Sequence, residues 1–81
     1  MTIGQRVRVH IEYAGQYASG LAEKLDGAMG VVEDYNPRST NGRRWLSPAA
    51  LVAFDRPVAS QIAGSMHTHF WFPIEDLREE P

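Results

Sequence analysis

The first clear pattern in the chain is a strict alternation of apolar and polar residues over positions 5–12. Val7, Val9 and Ile11 fall on one face of this segment, whereas Arg6 and Arg8 fall on the other. A period of two is typical of a strand with one buried face. The segment therefore predicts a half-buried first strand.

The alternation stops between residues 14 and 28, where glycine and serine interrupt the chain. This composition predicts a long loop after the first strand. Within the loop, Leu21 and Leu25 are spaced as on one face of a helical turn. We expect these two leucines to close one end of the core.

A second strand is predicted over residues 29–35, which end before Pro37. A proline lacks the backbone donor that a strand ladder uses. The pattern leaves the buried face of this strand open between Val32 and the pair Val31 and Tyr35. Residues 38–49 contain Ser, Thr, Asn, Gly and Arg, and this composition predicts an exposed hairpin loop.

Residues 50–55 are largely apolar and precede Pro57, so they predict a third strand with Phe54 facing inward. Residues 59–66 are small and polar, which predicts a connection. Residues 75–77 predict one tight helical turn that returns Leu77 to the core. The chain is expected to be polar and frayed from Arg78 onward.

A fourth strand is predicted over residues 67–74, where aromatic residues alternate with polar ones. Phe70 and Phe72 share one face of this strand. His67, His69 and Trp71 share the other. We expect the phenylalanines to face inward and the indole to face outward.

Composition is consistent with one small folded domain over residues 1–81. Hydrophobic residues make up 43% of the chain and charged residues 22%, with no cysteine and a net charge of −2. This length leaves room for a single core. The chain lacks a long apolar run, an apolar leader and a basic excess. We therefore expect a cytoplasmic protein without membrane association.

The residues that suggest a family are Gly4-x-x-Val7-x-Val9, Gly27-x-x-Gly30-x-Val32, Leu51–Asp55 and Phe72-x-Ile74-x-x-Leu77. In this order they resemble the SH3-like small β-barrel. The layout is similar to KOW-type domains, to the carboxy-terminal barrel of the nitrile hydratase β subunit and to photosystem I reaction-centre subunit IV. The resemblance implies an all-β domain, a single five-stranded barrel with long loops and a short helical turn near the C-terminus. It also implies a noncatalytic binding role.

An outward Trp71 beside His69 predicts a contact surface, which Trp45 and Tyr35 would join. Exposed aromatic residues near a sheet edge are a common means of docking or dimerisation. Our first hypothesis is therefore a protein-interaction or accessory-subunit module that binds another protein or a second copy of itself. The competing interpretation places Trp71 in a satellite core, covered by Trp45, Pro73 or the long first loop.

The alternative function is nucleic-acid binding by the loop over residues 38–45. Arg38, Arg43 and Arg44 would hold phosphates, and Trp45 would stack on a base. The simpler interpretation is a solvated hairpin whose arginines offset Glu33 and Asp34 on the adjoining strand. We favour the simpler interpretation because phosphate affinity grows with the number of charges neutralised and the C-terminal end of the chain is acidic.

A metal-binding or enzymatic role through His67 and His69 is the weakest alternative, even with His10 as a third ligand. Zinc sites use three or four ligands, and no Cys, Asp or Glu accompanies the pair at ligand spacing. The serines show no nucleophile-elbow pattern, and the adjacent carboxylates do not converge in a strand. We expect no enzymatic activity, no metal and no cofactor.

Overall fold

The computed structural model describes residues 1–17, 20–39, 47–60 and 64–80. These residues form an all-β fold, which confirms the predicted class. The strands are β1 (Arg6–Val9), β2 (Met29–Ser39), β3 (Ser47–Ala59), β4 (Met66–Pro73) and β5 (Leu77–Glu79). One short helix, α1 (Leu21–Leu25), and two 3-10 turns, Ala14–Gln16 and Ile74–Asp76, complete the described elements. No helix in these ranges is long and apolar enough to cross a membrane.

The five strands form one antiparallel sheet in the order β4-β3-β2-β1-β5. The chain passes from β1 through successive neighbours to β4 and then returns, so that β5 pairs with β1. The last strand thus lies beside the first. This arrangement is compatible with a small β-barrel-like fold.

A β-bulge in β2 resolves which of its side chains face the core. Val32 pairs with Val52, but the next pair joins Asp34 to Leu51, so Glu33 is an additional residue on β2. An extra residue reverses the alternation of side chains beyond it. Val32 and Tyr35 therefore both face inward, although their spacing in the sequence places them on opposite faces of a regular strand.

Gly30 allows β2 and β3 to approach each other closely. A Cβ atom built at Gly30 would run into the backbone carbonyl oxygen of Ala53 and would lie 2.8 Å from a methyl group of Val52. Gly30 is also the register partner of Phe54 on one side and of Val7 on the other. A residue with a side chain at position 30 would therefore force the two strands apart.

The core contains residues from all five strands and from α1. Its buried members are Val7, Val9, Leu21, Leu25, Val32, Ala50, Val52, Phe72 and Leu77. The predicted inclusion of Leu21, Leu25 and Leu77 in the core is thereby confirmed. Phe54, which was expected inward, is only partly buried and packs against this cluster.

The strands are longer than the prolines of the sequence predicted. β2 continues through Pro37 to Ser39, and β3 continues through Pro57 to Ala59. Both prolines fall in stretches where the strand register shifts, so the ladder does not require their missing N–H groups. The predicted exposed loop over residues 38–49 is consequently wrong at its ends, and Ala49 is fully buried.

The C-terminal segment is a strand and not a frayed end. Arg78 lies in β5, and its Nη2 donates to Glu12 Oε1 at 2.6 Å. Arg8 Nε lies 2.9 Å from Glu80 Oε1, and the Glu80 N–H donates to the carbonyl oxygen of Arg6. Backbone pairing and opposite charges therefore hold this end of the chain against β1.

Candidate functional site

The outer face of the sheet carries the residue on which the predicted contact surface depends. Trp71 on β4 pairs in register with Leu51 on β3, which pairs in turn with Asp34 on β2. Residues directly opposite in a sheet point to the same face. His69 and Glu33 lie beside this row. We call Trp71, Leu51, Asp34, His69 and Glu33 the Trp71 surface.

Trp71 is 38% exposed, whereas its neighbour Phe72 is fully buried. The first loop covers the other face of β4, because Tyr17 packs on Phe70 and Phe72 with ring centroids 6.2 and 6.3 Å apart. Within the described ranges, Trp71 is thus one of four exposed large hydrophobic residues, together with Ile3, Tyr13 and Met66. Its indole is available for contact with a partner.

His69 is held in place by two side chains beside Trp71. Its Nε2 lies 3.0 Å from Glu33 Oε2, and its Nδ1 lies 2.9 Å from Thr68 Oγ1. In the neutral ring, Nε2–H donates to the carboxylate and Nδ1 accepts from the hydroxyl. About half of each of the two side chains is exposed, so His69 and Glu33 form a solvated polar border next to the indole.

Tyr35 does not join the Trp71 surface. It pairs in register with Ala50, which pairs with Phe72, and it packs against the core. The bulge at Glu33 turns its side chain to the inner face. Of the predicted contact residues, the fold brings Trp71 and His69 together and places Tyr35 on the opposite face.

Trp45, the fourth residue of the predicted contact surface, lies outside the described residues. Arg43 and Arg44 of the predicted nucleic-acid loop also lie outside them. Arg38 belongs to β2, but its side chain is likewise outside what the structure describes. The nucleic-acid hypothesis therefore stays a prediction from the sequence.

The two histidines of β4 have different partners. The His67 ring packs edge-on against Phe70, with centroids 5.4 Å apart, whereas His69 faces Glu33. His10 follows β1, which is separated from β4 by β2 and β3. Across residues 1–17, 20–39, 47–60 and 64–80, no three His, Cys, Asp or Glu side chains are grouped as metal ligands would be.

A partly buried hydrogen bond that the sequence did not predict joins the first loop to the turn before β5. The Tyr17 hydroxyl donates to Asp76 Oδ2 at 2.6 Å, and the Glu12 N–H donates to Asp76 Oδ1 at 3.3 Å. Burial, followed by the hydrogen bond to Asp76, raises the pKa of Tyr17 well above its usual range. The hydroxyl therefore stays protonated, and its role is structural.

A shallow groove of about 530 Å³ lies between α1 and the end of β3. Its charged lining residues are Lys24, Asp26, Asp55 and Arg56. Lys24 donates to the carbonyl oxygen of Ser60, Asp26 accepts from the backbone N–H of Ile11, and Asp55 forms an ion pair with Arg6. Arg56 also interacts electrostatically with Asp55. All four charges therefore have partners in the fold, and they do not form a converging reactive cluster.

Comparison of the chain with protein-family models, with curated proteins and with solved structures finds no significant match.

Proposed function

We propose that this chain is a noncatalytic protein-interaction or accessory-subunit module whose contact surface is the Trp71 surface. The observation that carries the proposal is the outward position of Trp71 on a strand whose next residue, Phe72, is fully buried. A tryptophan is among the side chains that contribute most to protein interfaces. The fold holds this one where a partner can reach it.

The surroundings of Trp71 have the composition of an interface. Leu51 extends the apolar area beside the indole, and Asp34, Glu33 and His69 provide polar groups at its border. Protein interfaces commonly combine an apolar centre with a polar rim. The proposal assigns no catalytic residue, because the described polar groups here form a solvated border and not a converging cluster.

The strand order supports an SH3-like small barrel as the scaffold in this proposal. The long connection between β1 and β2 and the 3-10 turn between β4 and β5 are features that the sequence resemblance implies. The pairing of β5 with β1 is compatible with a small barrel. Barrels of this type host many binding functions, so the scaffold alone names no partner.

The test separates binding from folding. Trp71→Ala is expected to leave the melting temperature nearly unchanged and to abolish capture of the partner by tagged protein in an extract of the native host. Tyr13→Ala is the matched control, because Tyr13 is an aromatic residue that is 67% exposed in the first loop. This control should keep both stability and capture.

Two results would contradict the proposal. One is a loss of several kcal/mol of stability in Trp71→Ala, as expected for a buried indole. The other is a captured protein whose amount does not depend on residue 71.

A further inference from the structure

The two edge strands of the sheet differ in how they are protected. β5 has three residues, of which Arg78 and Glu79 are charged. β4 has eight residues and contains no Lys, Arg, Asp or Glu. Natural sheets protect their edges with short strands, charges or prolines, because an unprotected edge pairs with other strands. Pro73 protects one end of β4, and the register shift of the β3–β4 ladder between His67 and His69 lies near the other end.

Among the described strands, β4 has a neighbour on one side, and its other side has backbone groups that can pair. Within the described part of the chain, residues 66–73 form their strand ladder with β3 alone. The backbone hydrogen bonds that lie outside the strand ladders join other residues of the described ranges. Along an antiparallel edge strand, alternate residues direct their N–H and C=O groups away from the neighbouring strand.

The same strand also carries exposed apolar side chains. Of the four exposed large hydrophobic residues in the described ranges, two belong to β4, namely Met66 at 54% and Trp71 at 38% exposure. Pairing at this edge would therefore cover apolar area as well as backbone groups.

We propose that β4 pairs antiparallel with β4 of a second copy of this chain, so that two five-stranded sheets join into one. This inference rests on the proposed function and identifies a second copy of the chain as the partner that His69 and Trp71 of β4 would contact. The self-pairing of β4 is favoured because the strand carries no lysine, arginine or carboxylate. Two copies therefore meet without the like-charge repulsion that opposes most edge-to-edge contacts.

Sheet geometry limits the register of such a pair. Residues that are directly opposite point to the same face, and a two-fold axis perpendicular to the sheet keeps the outer face outward. The axis must then lie midway between one residue and the same residue of the other copy. It cannot lie level with the midpoint between two consecutive residues of a strand. The central choices in β4 are His69 and Phe70. An axis at Phe70 places Trp71 of each copy opposite His69 of the other.

The first experiment measures self-association by sedimentation velocity from low micromolar to submillimolar protein. We expect a concentration-dependent change from the 9.1 kDa chain to twice that mass. Thr68→Lys places a charge on each paired edge and should weaken dimerisation by about tenfold or more. Thr2→Lys is the matched control, because Thr2 is also exposed but precedes β1. It should dimerise like the parent.

A second measurement locates the contact and uses the absence of cysteine from the chain. His69→Cys alone should form an intermolecular disulfide if the axis lies at His69. A mixture of His69→Cys and Trp71→Cys should cross-link preferentially if the axis lies at Phe70. Thr2→Cys should cross-link no faster than random collision. Either of the first two results supports pairing of β4 with itself.

A chain that stays monomeric at every concentration would overturn the inference, as would a dimer that Thr68→Lys leaves intact or that cross-links equally well at position 2. These failures differ from failure of the proposed function. If the chain is monomeric but still captures another protein through Trp71, the proposed interaction function stands and only the pairing with a second copy is refuted.

Discussion

The hydroxyl of Tyr17 donates a 2.6 Å hydrogen bond to the carboxylate of Asp76, which is only 1% exposed. Tyr17 follows the first 3-10 turn, and Asp76 ends the second. The same tyrosine ring packs on Phe70 and Phe72. This single side chain therefore connects the long first loop to β4 and to the entrance of β5.

Loss of this hydroxyl should destabilise the domain. Tyr17→Phe keeps the ring contacts but removes one of the donors to a buried carboxylate, which costs about 1.5–3 kcal/mol. The free energy of unfolding, measured in urea by tryptophan fluorescence, should fall by this amount. Tyr13→Phe is the control, because Tyr13 is exposed and should tolerate the change. Equal stability of Tyr17→Phe and the parent would show that the bond contributes nothing.

The same hydrogen bond predicts a pH dependence at alkaline pH. The pKa of Tyr17 is higher in the folded state than in the unfolded state, because of burial and the bond to Asp76. Its contribution is therefore fully present below about pH 10, the unfolded value, and is lost as the pH rises above it. The stability difference between the parent and Tyr17→Phe should narrow above that pH by up to about 1.4 kcal/mol per pH unit. A difference that stays constant to higher pH would contradict this assignment.

The sequence predicted the elements that depend on local pattern. Alternation over residues 5–12 identified β1, although this strand ends at Val9. Alternation also identified β4 and placed Phe72 inward and Trp71 outward on that strand. The spacing of Leu21 and Leu25 identified α1 and its buried face. In these segments the spacing of hydrophobic residues along the chain is sufficient to predict the type of element and its buried face.

The features that the sequence missed depend on partners far away in the chain. The bulge at Glu33 arises from the register between β2 and β3, and it moved Tyr35 away from the predicted contact surface. Pro37 and Pro57 signal a missing donor, but only the strand register decides whether the ladder needs that donor. The bond between Tyr17 and Asp76 joins residues 59 positions apart. No local pattern indicates such a pair.

Gly30 should be the least tolerant of a side chain among the glycines that the structure describes. Gly30→Ala would place a methyl group against the carbonyl oxygen of Ala53 and force β2 and β3 apart, at a cost of about 1–3 kcal/mol or more. Gly15→Ala is the matched control, because its added Cβ would meet open space. We expect the control to stay within about 0.5 kcal/mol of the parent in thermal or urea unfolding. Two alanine variants of equal stability would refute the close approach of the strands at Gly30.

Truncation to alanine should lower the free energy of unfolding by different amounts at Phe72 and Phe54, although the sequence pattern predicted both to face inward. Phe72 is fully buried, whereas Phe54 is partly buried and meets the Phe72 ring edge-on at 6.0 Å between centroids. Phe72→Ala should cost about 3–5 kcal/mol, which approaches the total stability of a domain of this size. Phe54→Ala should cost less, about 2 kcal/mol, because a smaller part of its ring leaves solvent on folding.

The order of these two costs can be measured even if Phe72→Ala does not fold. Phe72→Leu retains most of the buried volume and should stay folded with a loss below about 1.5 kcal/mol. Urea unfolding of Phe72→Leu, Phe54→Leu and Phe54→Ala, together with the folded fraction of Phe72→Ala by circular dichroism, then ranks the two positions. If Phe54→Ala lost as much unfolding free energy as Phe72→Ala, the ring of Phe54 would be as fully buried as that of Phe72. That result would contradict the partial burial of Phe54.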